Sequence, residues 1–256
     1  MIFWFSATGN SHYVAQRLAV FTGDEMVSIT AALQVGKKHF SLDDAQERVG
    51  FVIPTFAYSL PGIVARFIEQ TTFDVPDGCY VYAVFTCGER SGGEMVALQN
   101  ALAQKDIKLD AAFELVMPDN FIFWTPLPSD DVLTAKLDAA DARLEECAQV
   151  IIARQAQLLV ATQPEFPFMP MSVISTAAGT AKFSATQKCT GCGTCVKVCP
   201  LKTIALDAAS HPVWEGECTM CLACLHRCPA AAIEHANDTQ GKRRYLNPRL
   251  GSVVLP

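Results

Sequence analysis

Apolar and polar residues alternate along the first 160 positions in segments of strand length and helix length. Short apolar runs predict five strands, at residues 1–5, 25–29, 48–53, 79–85 and 112–117. Amphipathic stretches predict helices after residue 11, over 61–70, over 93–104 and over about 131–159. The run at 79–85 is almost continuously apolar, as expected of a strand that is buried on both faces.

Strands that alternate with helices predict a parallel, doubly wound sheet in an α/β domain. Right-handed crossovers limit the topologies, and the strand order 2-1-3-4-5 suits this length and this number of strands best. In such a sheet, ligands bind beyond the carboxyl ends of the strands, near the switch between the first and third strands. We therefore expect a ligand-binding site in the loops that follow these strands.

Cysteines dominate the part of the chain that follows. Eight of the eleven cysteines lie between positions 189 and 228, in two runs of the form CxxCxxCxxxCP that are offset by 29 residues. The repeat extends beyond the cysteines, because Thr190 matches Thr219 and Ile204 matches Ile233. Without an export signal, such cysteines indicate metal ligands rather than disulfides.

This spacing is the established ligand pattern of bacterial ferredoxins, in which the fourth cysteine of each run binds the other cluster. The first 4Fe-4S cluster is then predicted on Cys189, Cys192, Cys195 and Cys228. The second is predicted on Cys199, Cys218, Cys221 and Cys224. Zinc is the alternative, but zinc sites usually carry isolated CxxC pairs with a longer gap between them. The segment from about 181 to 235 closely resembles bacterial-type ferredoxins with two 4Fe-4S clusters.

A second candidate site follows the first strand directly. Ser6, Thr8, Gly9, Asn10 and Ser11 lie between this strand and a helix, where backbone amides and the helix dipole favour an anion. The lysine of an ATP-binding loop is missing, so a phosphate monoester such as that of FMN suits the loop better. The alternative is a capped helix start that binds no ligand.

The form (S/T)-x-T-G-x-(S/T) of this loop resembles the phosphate loop of flavodoxins, and the resemblance spans residues 1 to about 158. Together the two parts resemble a family of flavodoxin–ferredoxin fusion proteins. The resemblance implies a flavodoxin-like sheet, a small α+β ferredoxin-like domain with two 4Fe-4S clusters, and electron transfer that involves FMN. We predict domains at 1–160 and 182–238, a packed linker at 161–181 and a tail at 239–256.

Two further loops are expected to contact the flavin ring, as they do in flavodoxins. After the third strand these are Thr55, Phe56 and Tyr58, with either aromatic ring a candidate to stack on the flavin. After the fourth strand they are Thr86, Cys87 and Gly88, where backbone amides are candidates to bond the polar edge of the ring. This second loop lacks the aromatic residue that flavodoxins often have there.

For the remaining segments, the sequence predicts location more than chemical function. The apolar residues 117–124 are expected to cover the flavin, to fill the seam toward the clusters, or to lie buried under the long helix. The stretch 163–171 is expected to pack as an extended connection. The basic residues 242–244 are expected to be solvated, and the alternative is that they dock an acidic redox partner. Cys79 and Cys147 are expected in the core, and Cys87 as a small buried residue rather than a reactive thiol.

Charge and hydropathy narrow the functional classes. The net charge is −6 and no basic block is present, which disfavours a nucleic-acid partner. No apolar segment is long enough to span a bilayer, and we predict a cytoplasmic protein whose partners are redox proteins. Two rival functions stay open at this point. One is a flavin-dependent reductase with its own small-molecule or quinone substrate, and the other is a ferredoxin module with an empty flavodoxin-like docking domain.

Overall fold

The computed structural model describes residues 1–124, 126–160 and 180–251, and its centre is a five-stranded parallel sheet. The strands are β1 (Ile2–Trp4), β2 (Met26–Ser28), β4 (Arg48–Pro54), β6 (Tyr80–Cys87) and β7 (Ala111–Val116). Their order in the sheet is β2-β1-β4-β6-β7, which confirms the predicted order 2-1-3-4-5 of a flavodoxin-like fold. A small parallel pair, β3 (His39–Ser41) with β5 (Thr72–Asp74), was not predicted.

Helices cover both faces of this sheet. They are α1 (Asn10–Thr22), α2 (Ile29–Val35), α3 (Gly62–Gln70), α4 (Glu94–Ala103) and α5 (Asp130–Ile152). Because side chains alternate along a strand, Phe3 packs into one core while Ile2 and Trp4 pack into the other. Cys79 and Cys147 are buried in these cores, as predicted.

The predicted end of the last of these helices, at about residue 159, is wrong. Helix α5 ends at Ile152, and Arg154 then adopts a positive φ of 52°. The Arg154 guanidinium donates to the carbonyl of Ala45, at 3.1 Å, and Gln157 pairs with Ala111 beside β7. Tertiary contacts therefore end the helix, in a stretch whose sequence offers no glycine or proline as a signal.

The cysteine-rich segment forms a second small unit whose elements repeat. The first half contains β8 (Phe183–Ala185), α6 (Thr194–Val198) and β9 (Ile204–Leu206). The second half contains β10 (Pro212–Trp214), α7 (Ala223–His226) and β11 (Ile233–His235), each beginning 29 residues after its counterpart. Strand β8 pairs with β11 and β9 pairs with β10, both antiparallel. The two halves of the repeat thus interlock.

The chain that follows β11 packs back across both units. The prediction that residues 242–244 are solvated holds for Arg243, whose side chain is 53% exposed, and is wrong for Lys242 and Arg244. Lys242 Nζ donates to the carbonyls of Ile122 and Phe123, at 2.8 and 2.7 Å. Arg244 forms an ion pair with Glu234 at 2.8 Å, and both side chains are largely buried. A cation whose charge is satisfied by carbonyls or by a carboxylate can lie inside a protein.

Two observations complete the outline of the fold. The stretch 163–171, predicted to pack as an extended connection, lies outside the described residues. Among the helices that are described, none is long and apolar enough to cross a membrane.

Candidate functional site

The loops at the carboxyl ends of β1, β4, β6 and β7 meet around one polar cavity. The predicted residues from three of these loops line it: Ser6, Thr8, Asn10, Ser11, Thr55, Phe56, Thr86, Cys87 and Gly88. The loop after β7 adds Asp119 and Asn120, which lie in the segment 117–124 that was expected to cover the flavin or to fill the seam. The sheet therefore brings distant parts of the chain together at the edge where parallel sheets bind ligands.

Hydroxyl groups face one another at the bottom of this cavity. Ser11 Oγ and Thr86 Oγ1 are 2.8 Å apart, and the Gly9 amide donates to Ser6 Oγ at 3.1 Å. Asn120 Nδ2 donates to Thr8 Oγ1 at 2.7 Å, so the Thr8 hydroxyl hydrogen can be donated to a ligand. Hydroxyl donors beside the amino terminus of α1 fit a phosphate monoester.

Gly9 does not itself line the cavity. Its φ is 106°, and a Cβ placed there would lie 2.6 Å from Leu250 Cδ1. The requirement for glycine therefore comes from backbone conformation and from the C-terminal segment that packs against it.

The side chain of Asn10 is held by other parts of the protein. Its Oδ1 accepts hydrogen bonds from the Tyr245 hydroxyl, at 2.7 Å, and from Asn247 Nδ2, at 3.1 Å. Its Nδ2 donates to the Pro118 carbonyl at 3.0 Å. Asn10 thus braces the loop, and the C-terminal segment is part of the support.

A larger pocket of about 400 Å³ opens beside the polar cavity. Its lining includes five predicted flavin contacts: Thr55, Phe56, Tyr58, Cys87 and Gly88. Asp119, Asn120, Phe121 and Trp124 of the segment 117–124 also line it. Three residues that were not assigned to a site complete the lining: Arg90, Lys136 and Met220. The volume lies within the range of small-molecule sites. Aromatic rings come from the loops after β4 and β7 rather than from the loop after β6.

The loop at 117–124 serves both the pocket and the second unit. Phe121 and Trp124 line the pocket, whereas Ile122 and Phe123 are buried among residues of the cysteine-rich unit. The structure thus places this loop in the seam, which is one of the positions the sequence left open.

One carboxyl group, that of Glu94, and one thiol, that of Cys87, are buried at the pocket. Glu94 is fully buried and accepts a hydrogen bond from the Thr55 hydroxyl, and burial raises the pKa of this carboxyl well above its ordinary value. Burial also raises the pKa of the Cys87 thiol, which lies 3.7 Å from the Leu115 carbonyl. Burial and a raised pKa are the environment of a structural cysteine rather than of a nucleophilic one, which needs a lowered pKa.

The eight cysteines of the repeat line two separate cavities. One cavity is lined by Cys189, Cys192, Cys195 and Cys228. The other is lined by Cys199, Cys218, Cys221 and Cys224. We call these cavity one and cavity two. Each gathers three cysteines of one run and the last cysteine of the other run, which is the grouping predicted for crossed ligation.

Backbone amides point at several of these sulfurs. The Thr203 amide donates to Cys199 Sγ at 3.4 Å, and the Ala232 amide donates to Cys228 Sγ at 3.3 Å, at equivalent places in the repeat. The Met220 amide donates to Cys218 Sγ at 3.3 Å. Amide donors of this kind stabilise thiolate ligands and tune the potential of a cluster.

Burial, in contrast to these amide donors, disfavours the thiolate form of the cysteines. It raises the pKa of Cys224 to about 12 and that of Cys221 well above its ordinary value. Thiolates at these positions therefore require a nearby positive charge, which bound iron supplies. Across the described residues, no three His, Cys, Asp or Glu side chains are arranged to hold a single metal ion. The donor set fits two polynuclear clusters.

Three residues of this region were not assigned from the sequence: Met220, Tyr245 and Asn247. Met220 had a usable signal, because the repeat aligns it with Gly191 and a change from glycine to a large side chain calls for a reason. The C-terminal residues carried no local signal, since their role depends on contacts with a loop at the other end of the chain.

Comparisons with known proteins bear on both units. Residues 181–229 match the family model of a 4Fe-4S dicluster domain. Among solved structures, the flavodoxin of Megasphaera elsdenii is 18% identical, with a TM-score of 0.34, and the match covers 55% of this chain and 97% of that one. A flavodoxin of Streptococcus pneumoniae is 15% identical, with a TM-score of 0.37 and coverage of 60% and 97%.

A third solved structure, the rubredoxin oxygen:oxidoreductase of Desulfovibrio gigas, is 16% identical, with a TM-score of 0.32. That match covers 60% of this chain and 36% of the oxidoreductase. A search of curated proteins gives no match. By its sheet order and by the residues that match the family model, the chain joins a flavodoxin-like α/β domain to a 4Fe-4S dicluster domain.

Proposed function

We propose that this protein transfers electrons between FMN, bound in the flavodoxin-like domain, and two 4Fe-4S clusters, and so connects two-electron with one-electron redox partner proteins. The polar cavity around Ser6, Thr8 and Ser11 holds the phosphate, and the adjoining pocket holds the ring. Cavity one and cavity two hold the clusters. Flavin supplies one- and two-electron chemistry and each cluster supplies one-electron chemistry.

Met220 carries the proposal. Its side chain lines the pocket that we assign to the flavin ring, together with Phe56 and Tyr58. The same residue lies in the chain between Cys218 and Cys221, both of which line cavity two. Met220 thus lines the ring pocket while its neighbours along the chain line cavity two, and its amide donates to Cys218 Sγ at 3.3 Å. Adjacent redox sites are what electron transfer within one chain requires.

The two cavities differ in how they face the rest of the protein. Cys221 and Ala223, at cavity two, pack into a core that they share with the flavodoxin-like sheet. Cys192, at cavity one, is exposed to solvent. We therefore assign cavity two to exchange with the flavin and cavity one to exchange with a protein partner.

Side chains of this chain position the ring and keep water away from it. Phe56, Tyr58 and Phe121 supply flat apolar surface around the pocket. Arg90 lies 5.4 Å from the centre of the Tyr58 ring, and a Cβ at Gly92 would lie 2.6 Å from Tyr58 Cβ. The absence of a side chain at Gly92 thus lets Tyr58 pack where it does.

The test is anaerobic purification of the full chain, followed by a count of iron and flavin. We expect stoichiometric FMN together with enough iron for two clusters. Met220→Ala should slow the exchange of electrons between flavin and clusters after flash reduction while leaving the flavin content unchanged. Met95→Ala is the matched control, because Met95 is also buried but lies on α4 in the sheet core. Iron-loaded protein without affinity for flavin would refute the proposal.

One observation favours a second candidate, a reductase with its own quinone or other small-molecule substrate. Trp124 is 76% exposed and packs edge-on against Phe121 at the mouth of the ring pocket. An exposed indole there is suited to stack on a flat substrate. Steady-state quinone reduction that falls sharply in Trp124→Ala, with unchanged flavin content, would favour this candidate.

A further inference from the structure

A chain of buried hydrogen bonds links the cysteine repeat to the phosphate loop. His226 lies between Cys224, which lines cavity two, and Cys228, which lines cavity one. Its Nε2 is 2.8 Å from the carbonyl of Asn120, and its Nδ1 accepts the amide of Tyr245 at 3.0 Å. The tautomer is thereby fixed, with the proton on Nε2. One imidazole therefore contacts both the loop after β7 and the C-terminal segment.

Both partners of His226 continue to the phosphate loop. Asn120 donates through Nδ2 to Thr8 Oγ1 at 2.7 Å. Tyr245 donates through its hydroxyl to Asn10 Oδ1 at 2.7 Å. Thr8 and Asn10 of the proposed phosphate site are thus connected, through Asn120 and Tyr245, to a side chain at the end of α7.

Asn247 and Arg227 form further hydrogen bonds to the phosphate loop. The amide of Asn247 donates to the carbonyl of Thr8 at 2.8 Å, and its Nδ2 donates to Asn10 Oδ1 at 3.1 Å. Arg227, the neighbour of His226, donates through Nε to the carbonyl of Ala7 at 2.8 Å. Water cannot readily replace these bonds, because the residues that make most of them are buried: Thr8, Asn10, His226, Tyr245 and Asn247. A shift at any one member is therefore transmitted to the others.

We infer that the C-terminal segment, through Tyr245, couples the two cofactor sites, so that occupied cluster cavities strengthen FMN binding and bound FMN strengthens cluster retention. Tyr245 is a positioning residue, because it acts on the phosphate site through Asn10. The inference rests on the proposed function, since it needs both cofactors to bind. Coupling of this kind is reciprocal by thermodynamic necessity.

The experiment is a thermodynamic cycle on the full chain. FMN affinity is measured anaerobically by quenching of flavin fluorescence, first with the clusters loaded and then after their removal by a chelator. In the natural chain we expect cluster removal to weaken FMN binding about tenfold, within the usual range for coupled sites. In Tyr245→Phe we expect weaker binding with clusters loaded and a much smaller further loss without them.

Tyr80→Phe is the matched control. Tyr80 is also buried and donates its hydroxyl to a backbone carbonyl, that of Gln155, at 2.8 Å, but it lies at the amino end of β6, away from the site. Its loss should leave FMN affinity and the cluster dependence of that affinity unchanged. Equal effects of Tyr245→Phe and Tyr80→Phe would overturn the inference.

A second measurement covers the case in which the chain unfolds without its clusters. The rate at which a chelator extracts iron from the loaded protein is measured with and without saturating FMN. We expect FMN to slow extraction several-fold in the natural chain and in Tyr80→Phe, and to have little effect in Tyr245→Phe. Tight FMN binding that leaves extraction unchanged would refute the coupling but not the proposed function, whereas no FMN binding would refute both.

Discussion

The contact between Gly9 and the C-terminal segment gives a prediction whose magnitude follows from the structure. Gly9 has a φ of 106°, and a Cβ there would lie 2.6 Å from Leu250 Cδ1 and 3.1 Å from Asn247 Cβ. The backbone conformation alone costs an alanine about 1–2 kcal/mol. Overpacking adds about 1–3 kcal/mol. Gly9→Ala should therefore destabilise the protein by about 2–5 kcal/mol.

Gly23 offers a control at the other end of the same helix. Its φ is 74°, and nothing lies within 4 Å of a Cβ placed there. Gly23→Ala should show the backbone cost alone, about 1–2 kcal/mol. The difference between the two variants isolates the clash with the C-terminal segment.

Two assays follow the consequence of that clash. Denaturant unfolding, followed by circular dichroism on the loaded protein, gives the loss of stability for each variant. Titration with FMN gives the loss of affinity. We expect affinity to fall more in Gly9→Ala than in Gly23→Ala, because a displaced Asn247 no longer donates to Thr8 and Asn10.

A second substitution tests the cause directly. Leu250→Ala removes the side chain that a Cβ at position 9 would meet, so Gly9→Ala should cost less in that background than alone. The reasoning is refuted if Gly9→Ala and Gly23→Ala have the same effect on stability and on FMN affinity. It is also refuted if Leu250→Ala relieves none of the loss.

Three further predictions concern other buried groups. Cys199→Ser should remove the cluster of cavity two and about half of the iron. The control variant Cys147→Ser should keep all of the iron. Loss of the cluster of cavity one in Cys199→Ser would show that the crossed ligation is wrong. Glu94 has a raised pKa in the folded protein, so its contribution to stability should fall as the pH rises above its ordinary pKa of 4.5. Unfolding midpoints of Glu94→Gln should lack this fall, and parallel curves would contradict it. Arg244→Met should cost about 3–5 kcal/mol by leaving Glu234 buried without its ion-pair partner, and a smaller loss in denaturant unfolding would show that Glu234 is hydrated.

The parts of this protein that local patterns determine could be predicted from sequence. The strand order follows from apolar runs of strand length and from the handedness of their connections. The grouping of cysteines into two cavities follows from ligand spacing and a repeat. The loop at Ser6–Ser11 could be placed at the end of β1, because a strand, a polar turn and a helix follow one another within a few residues.

Contacts between distant segments could not be predicted in this way. Residues 242–244 carry three consecutive positive charges, which usually indicates a solvated stretch, yet Lys242 is satisfied by two carbonyls and Arg244 by Glu234. The end of α5 depends on where Gln157 meets Ala111. In each case the partner is far away in sequence, so no local periodicity records it.

The repeat nevertheless holds a signal that local patterns miss, in the positions where its two halves differ. Gly191 and Gly193 of the first half have positive φ, and their equivalents Met220 and Leu222 keep that conformation with large side chains. A positive φ costs a residue with a side chain about 1–2 kcal/mol relative to glycine. Packing must therefore stabilise the side chains of Met220 and Leu222. Both side chains are buried in the core of the dicluster domain, and Met220 also lines the pocket assigned to the flavin.

The two halves of the repeat therefore differ in the part of the protein that each turn faces. At Gly191, the counterpart of Met220, a Cβ would lie 2.9 Å from Ser210 Cβ and 3.2 Å from the Ser210 carbonyl oxygen, so the first turn has no room for a side chain there. The turn at Met220, in contrast, lies against the flavodoxin-like domain. Met220 therefore gains packing both in the dicluster core and at the pocket that we assign to the flavin, which offsets the cost of its backbone conformation. Met220→Gly should therefore relieve backbone strain in the turn between Cys218 and Cys221 while it slows exchange with the flavin, and a variant with unchanged exchange would remove the main support for electron transfer between the domains.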